Sequence, residues 1–297
     1  MAVYFVFIDG IGIGKSGDQN PFSEHNFPNL NALWGDQMLC TSSESFSAPG
    51  HLYKAVDANL GVEGFPQSGT GQTALFTGVN VSQEIGKHFG PFPHSACKPY
   101  LKENSLFRDL ISRNKKPHFI NAYPDRFFEY AERRNRWSCS TLMVKSAGLH
   151  LNRIEDVRKG RALTAEIMQD YWREKISVDV PEITAQDAGE RFYSEGQQYD
   201  LTLFEYYITD KAGHDQKMDK AVDVLTRLDG FLEGFLAKAE FDHDTLIVSS
   251  DHGNLEDLST KTHTRNPVPL VVMGRNAEQF SKCTSILDVK DVILEII

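Results

Sequence analysis

Three aspartates stand where apolar runs end. Asp9 follows Val3 to Ile8, Asp210 follows the run LTLFEYYIT from Leu201 to Thr209, and Asp251 follows Leu246 to Val248 and two serines. Three histidines accompany them: His214 four residues after Asp210, His252 directly after Asp251, and His263 a short loop further on. Carboxylate oxygens with neutral imidazoles are suitable ligands for Zn²⁺ or Mn²⁺, and six such groups are enough for two ions with positions left open for substrate. One Asp-His-Gly alone is equally an ordinary turn, since Asp and Gly favour turns. Recurrence at three strand ends is what points to a site. The remaining histidines, such as His51, His88, His94, His118 and His150, have no such company and read as structural.

A second stretch, GFPQSGTGQTALFTGVN from Gly64 to Asn80, offers a nucleophile. Small residues Ser68, Gly69, Thr70 and Gly71 lead into an apolar helical pattern at Ala74, Leu75 and Phe76. The amino terminus of a helix presents free N–H groups and the positive end of its dipole, which favour a phosphate or an alkoxide. Ser68 or Thr70 placed there can attack an ester, or simply cap the helix. The glycine-rich GIGIGKS after Ile8 is a near miss for two nucleotide motifs. A Walker A loop ending at Lys15-Ser16 needs glycine where Asp9 stands, and a dinucleotide fingerprint needs glycine at Lys15.

These residues need a frame that delivers strand ends to one place. Continuous apolar runs at Val3 to Ile8, Leu201 to Thr209 and Leu246 to Val248 suit strands covered on both faces. Further strands are expected near Lys54, at His118 to Asn121 and at Val268 to Met273. Helices are expected at Asn26 to Trp34, Ser105 to Arg113, Val222 to Phe235 and Thr284 to Ile297, the last with a Ser285-Asp288 capping box. A helical turn at Lys211 to Asp215 puts Asp210 and His214 on one face. The expected fold is therefore α/β, a mostly parallel central sheet with helices on both faces, in a single domain over 1–297. Between 126 and 199 the chain turns basic and mainly helical, Ala162 to Ile176 included. That stretch reads as a solvated face or as a small lid insertion, with Arg126, Arg153 and Arg161 as candidate cations for an anionic substrate.

Composition narrows the partners. The chain has 297 residues, a net charge of -10, and 40% hydrophobic residues. An acidic chain without a basic run is not a general nucleic-acid binder. The cysteines Cys40, Cys97, Cys139 and Cys283 form no CxxC pair, which suits a reducing compartment. No apolar segment approaches the ~20 residues that span a bilayer. A cytoplasmic protein without membrane contact is expected.

The motifs FIDGIG, QSGTGQTALFTG, TDKAGHD, SSDHGN and THTRNPVP resemble the alkaline phosphatase superfamily, in its branch of cofactor-independent phosphoglycerate mutase and related metalloenzymes. The resemblance covers roughly 1–121 and 201–297. It implies an alkaline phosphatase-like fold and two divalent ions, Zn or Mn. Asp210, His214 and His263 would hold one ion; Asp9, Ser68, Asp251 and His252 would hold the other. Counting back from Thr77-Gly78 implies Ser68 as nucleophile, with Thr70 as runner-up. A small phosphate ester is the implied substrate. The insert is far smaller than the second domain of the mutases, which favours hydrolysis over return of the phosphoryl group. Mutase or phosphodiesterase chemistry, a nucleotide-binding Gly12 to Ser16 loop, and a catalytically silent metal protein are the competing readings.

Overall fold

The computed structural model describes residues 1–297. Its sheet has seven strands: β1 (Val3–Ile8), β2 (Phe46–Ala48), β3 (His51–Val56), β4 (Pro117–Phe119), β5 (Leu201–Tyr206), β6 (Thr245–Ser249) and β7 (Val268–Gly274). The order is β2-β3-β7-β6-β1-β5-β4. β6, β1, β5 and β4 run parallel, whereas β7, β3 and β2 are each antiparallel to their neighbour. The expected parallel sheet is thus its central and β4 side, with an antiparallel extension at the other edge.

β1 shows why a continuous apolar run was needed at the centre. Val3, Phe5 and Phe7 pack into one layer with Leu75, Phe76 and Phe107, while Tyr4, Val6 and Ile8 pack into the other with Phe192, Leu228 and Phe231. Every residue of the strand is buried, because side chains alternate across a sheet covered on both sides. Burial of this kind is worth about 1.5–3 kcal/mol per large apolar side chain.

The parallel strands β1, β5 and β6 bring their carboxyl ends to one edge, where ligand crevices form in such sheets. Two expectations change in detail. β5 stops at Tyr206 and a helix, Ile208–Asp215, has begun before Asp210. Ala162 to Ile176 is mostly not helical. Leu163 bridges Asn121 in parallel beyond β4, and only Asp170–Glu174 forms a helix, because the amides that flank this edge take Leu163 as a partner. Parts of the insertion 126–199 pack into the core. The helix Ala185–Gly196 buries Ala188 and Phe192 against Met218–Leu236, and Cys139–Ser146 sits in the opposite layer. Its remainder roofs the cavity described below. The capping box at Ser285 and Asp288 is formed, ahead of a short 3-10 turn and the helix Val289–Ile296. No helix is long and apolar enough to cross a membrane.

His118 lies on β4, stacked on Tyr199 at 4.2 Å between ring centroids, with Nε2 buried and without a partner. Burial pushes its pKa down from 6.5 to about 4. The unfolded chain then binds a proton that the native state refuses, so stability is full above pH 6.5 and falls as pH drops toward 4. His118→Phe is expected to remove up to about 3 kcal/mol of that acid loss. Urea unfolding of both proteins at several pH values measures it; equal slopes would contradict the assignment.

Candidate metal centre

Asp9 leaves the end of β1 and Gly10 turns the chain at once, with φ +73°. A Cβ at Gly10 would meet Asp210 Oδ1 at 2.9 Å, so only glycine lets the two elements close up. Asp251 and His252 follow β6 and are fully buried. Within Asp9, Asp251 and His252 one ligand atom from each lies within 4.8 Å of the others, and the same holds for Asp210, His214 and His263. All six strand-end residues singled out in the sequence are therefore brought together in two groups. The groups adjoin: the rings of His252 and His263 stack at 3.8 Å.

The second group is oriented from behind. His214 Nδ1 bonds the Lys261 carbonyl at 2.8 Å and His263 Nδ1 bonds that of Pro66 at 2.6 Å. Each ring nitrogen so used donates its proton, and the Nε2 lone pairs face Asp210 at 3.4 Å on either carboxylate oxygen. Fixing the tautomer through the far nitrogen is how proteins prepare imidazole ligands. Asp210 itself is clamped by Asn254, whose Nδ2 donates to Oδ1 at 2.6 Å. Burial opposes the Asp210 charge, yet His214 and His263 hold its carboxyl far below the ordinary carboxylate range. The Asp210 contact in turn raises the His214 pKa.

The first group is deeper. Burial, then the charges of Asp251 and Asp210, push the Asp9 carboxyl well above its ordinary value; burial and Asp210 do the same to Asp251. Burial and the neighbouring His263 press His252 down to about 3, so it is a neutral imidazole. Asp9 Oδ1, both oxygens of Asp251 and Nδ1 of His252 are buried and find no hydrogen-bond partner. Orphaned buried carboxylates cost several kcal/mol each unless a cation meets them. This donor set of oxygen and imidazole nitrogen fits divalent metal ions.

Between the groups stands Ser68, the first residue of the helix Ser68–Thr77. Its Oγ lies 3.0 Å from His252 Nε2. The N-cap is Gln67, so neither Ser68 nor Thr70 is spent on capping. The amides of Thr70 and Gly71 bond Gln67 O, while those of Ser68 and Gly69 make no bond within the protein; of these two residues only Ser68 lines the cavities. Thr70 Oγ1 is turned the other way, donating to Gln67 O and accepting from the Phe89 amide. The structure separates the two hydroxyls the sequence left open.

Two cavities meet at Ser68, Pro91 and Asp210: a polar one of about 320 Å³ reaching His214 and His263, and a larger one of about 1090 Å³. Arg126 lines the larger cavity. Arg153 and Arg161 line neither; Arg153 pairs with Asp125 at 3.2 Å and lies over Phe128, and Arg161 pairs with Asp156 at 3.0 Å. Their charges are satisfied within the insert, which corrects their place in the expected substrate set.

Sequence reasoning missed three supporting residues. Gln72 donates to Asp9 Oδ2 at 3.3 Å, one helical turn beyond Ser68. Glu205, alone in the apolar β5 run, sits in the cavity floor, bonded by Ser140 at 2.7 Å and pushed up by burial to about 7. Glu256 accepts from the amides of Gly12 at 2.8 Å and Asn254 at 2.7 Å, from Asn266 Nδ2 at 3.0 Å, and from the Thr264 hydroxyl. The GIGIG loop therefore wraps a carboxylate of its own chain. A Cβ at Gly12 would fall 2.3 Å from Glu256 Oε1, and no helix begins at Lys15-Ser16 to hold a phosphate, the next being the short Pro21–Glu24. This corrects the nucleotide-loop reading. Glu256→Ala strands at least two buried amides and is expected to cost about 3 kcal/mol or more in urea unfolding; a loss below about 1 kcal/mol would contradict the assigned role.

Residues 166–297 match the Metalloenzyme superfamily model. The 2,3-bisphosphoglycerate-independent phosphoglycerate mutase of Ehrlichia canis (strain Jake) is 31% identical over 108 residues, 34% of this chain and 22% of that protein. The enzyme of the same name from Desulforudis audaxviator (strain MP104C) is 30% identical over 128 residues, 39% of this chain and 24% of that protein. The alkaline phosphatase of the Antarctic bacterium TAB5 superposes with a TM-score of 0.61 at 13% identity, covering 99% of this chain and 97% of that one. The chain has the alkaline phosphatase fold. A cold-active alkaline phosphatase from Shewanella sp. has the same fold, with a TM-score of 0.58, 12% identity, and coverage of 100% and 99%. The matches to the mutases span less than a quarter of the length of those proteins.

Proposed function

We propose that the protein is a metal-dependent phosphohydrolase that cleaves a small phosphate ester through Ser68 and two divalent ions, Zn or Mn. The observation that carries this reading is the position of Ser68 Oγ, beside His252 Nε2, at a helix amino terminus and at the meeting point of both cavities. Asp9, Asp251, His252 and Ser68 would hold one ion; Asp210, His214 and His263 the other. Bound divalent ions neutralise phosphate charge and lower the pKa of a hydroxyl beside them.

The chain supplies the rest. The free amide of Ser68 receives a phosphate oxygen at the dipole end of the helix. The Ser68 oxygen attacks phosphorus, the bond to the alcohol oxygen breaks, and a phosphoserine forms that water then cleaves. Neutral His252 cannot repel an incoming cation, and the backbone bonds of His214 and His263 hold their rings during the cycle. Of Arg126, Arg153 and Arg161, only Arg126 stands in the cavity wall, where its guanidinium donates to the Tyr171 hydroxyl at 3.4 Å.

Similarity to the mutases supports a second reading, in which the phosphoryl group passes to another hydroxyl instead of water. The test is turnover of p-nitrophenyl phosphate, its bis-ester and 3-phosphoglycerate by chelator-stripped protein refilled with Mn²⁺ or Zn²⁺. Metal-restored hydrolysis of the monoester supports the proposal. Isomerisation of 3-phosphoglycerate selects the mutase reading, preference for the bis-ester a phosphodiesterase, and inertness toward all three a silent metal protein.

A further inference from the structure

The larger cavity has room for far more than a three-carbon alcohol. At about 1090 Å³ it extends from Ser68 past an aromatic wall that includes Phe92, Phe127, Tyr130, Tyr171 and Tyr207. Tyr130 and Tyr171 are 40% and 48% exposed, and Arg126 lies 6.0 Å from the Tyr171 ring centroid. Such a wall favours a planar ring, which stacks or meets ring edges at little entropic cost.

The carboxylates around this cavity are accounted for, with one exception. Asp9 and Asp210 belong to the metal groups, and Ser140 satisfies Glu205. Arg227 pairs with Asp170 at 2.6 Å and Asp223 at 3.1 Å. Glu174 is exposed on the rim. Glu166 lines the cavity wall with no ion pair; its Oε1 is sealed off without a hydrogen-bond partner, and its Oε2 is the accessible oxygen that can meet a ligand. A partly buried carboxylate without an ion pair that faces a cavity is a receptor for a cation or an N–H donor. The cationic side chains on the same wall are engaged elsewhere or at the rim: Arg227 as above, Arg126 at Tyr171, Lys211 over Tyr207 at 4.6 Å, and Lys175 exposed.

We infer that this cavity takes the alcohol half of the ester, and that this alcohol carries a planar ring and an amine or other N–H donor received by Glu166. The inference rests on the reading that the phosphate sits at Ser68, and it is tested by binding without turnover. Tyramine and its carboxylate counterpart, 3-(4-hydroxyphenyl)propionate, are titrated into the metal-loaded protein by calorimetry. Tyramine is expected to bind roughly tenfold tighter or more, the worth of one charge-assisted hydrogen bond. Glu166→Gln should remove that preference, and Tyr171→Ala, at an exposed position, should weaken both probes. Equal binding by the wild type, or a preference unchanged in Glu166→Gln, would overturn the inference. If tyramine binds as expected and O-phosphotyramine is not hydrolysed, the pocket stands and the phosphohydrolase reading falls.

Discussion

Ser68→Ala is expected to abolish metal-restored ester hydrolysis, by about a thousandfold or more, because no other hydroxyl reaches the same point. The Ser68 side chain makes one hydrogen bond, to His252, so the fold should survive its loss. Thr70→Ala makes the contrast. Thr70 bridges Gln67 O and the Phe89 amide, and its removal should lower stability by about 1–2 kcal/mol while turnover is kept. Steady-state rates and thermal unfolding of the two variants decide it. An active Ser68→Ala beside an inactive Thr70→Ala would transfer the nucleophile to Thr70.

Asp251→Asn should act with opposite signs on the two forms of the protein. Loaded with metal, the variant loses a ligand, and with it turnover and the stabilisation that binding adds to the native state. Stripped of metal, it should be more stable than the wild type by about 1–3 kcal/mol at neutral pH. Burial raises the folded Asp251 pKa well above 3.8. The native state thus keeps a proton that the unfolded chain releases, and stability falls as pH rises above 3.8. Asparagine removes that dependence. Melting curves with chelator and with Mn²⁺, run at several pH values, measure both signs. A variant less stable than the wild type in chelator would mean that Asp251 has a native partner other than a cation.

The two Asp-His groups were legible because strand ends of a parallel sheet converge and because Asp and His have few other reasons to recur there. Ser68 was legible as a helix start and, through the resemblance, as the choice ahead of Thr70; the physical ground was not, since both hydroxyls precede the same apolar run and it is the Gln67 carbonyl and the Phe89 amide that turn Thr70 away. Glu205 had a visible signal, a lone carboxylate inside LTLFEYYI, which reads as tolerated polarity until the cavity beside it is seen. Asn254 and Glu256 lay two and four residues from His252, yet their partners are Asp210 and Gly12, more than forty positions away. Charge counts misled at Arg153 and Arg161, because acids within the same insert neutralise them. Periodicity misled at Ala162 to Ile176, where the edge of the sheet supplied a partner for Leu163 that a helix would have forgone.

Covalent chemistry at Ser68 is the claim on which the rest depends. Metal-loaded protein turning over p-nitrophenyl phosphate can be quenched in acid within the first turnovers and mapped by peptide mass spectrometry. The account predicts a phosphoryl group on the peptide that contains Ser68, absent from Ser68→Ala and from protein held in chelator. Steady hydrolysis with every peptide unmodified, or with the phosphoryl group on another residue, would contradict it.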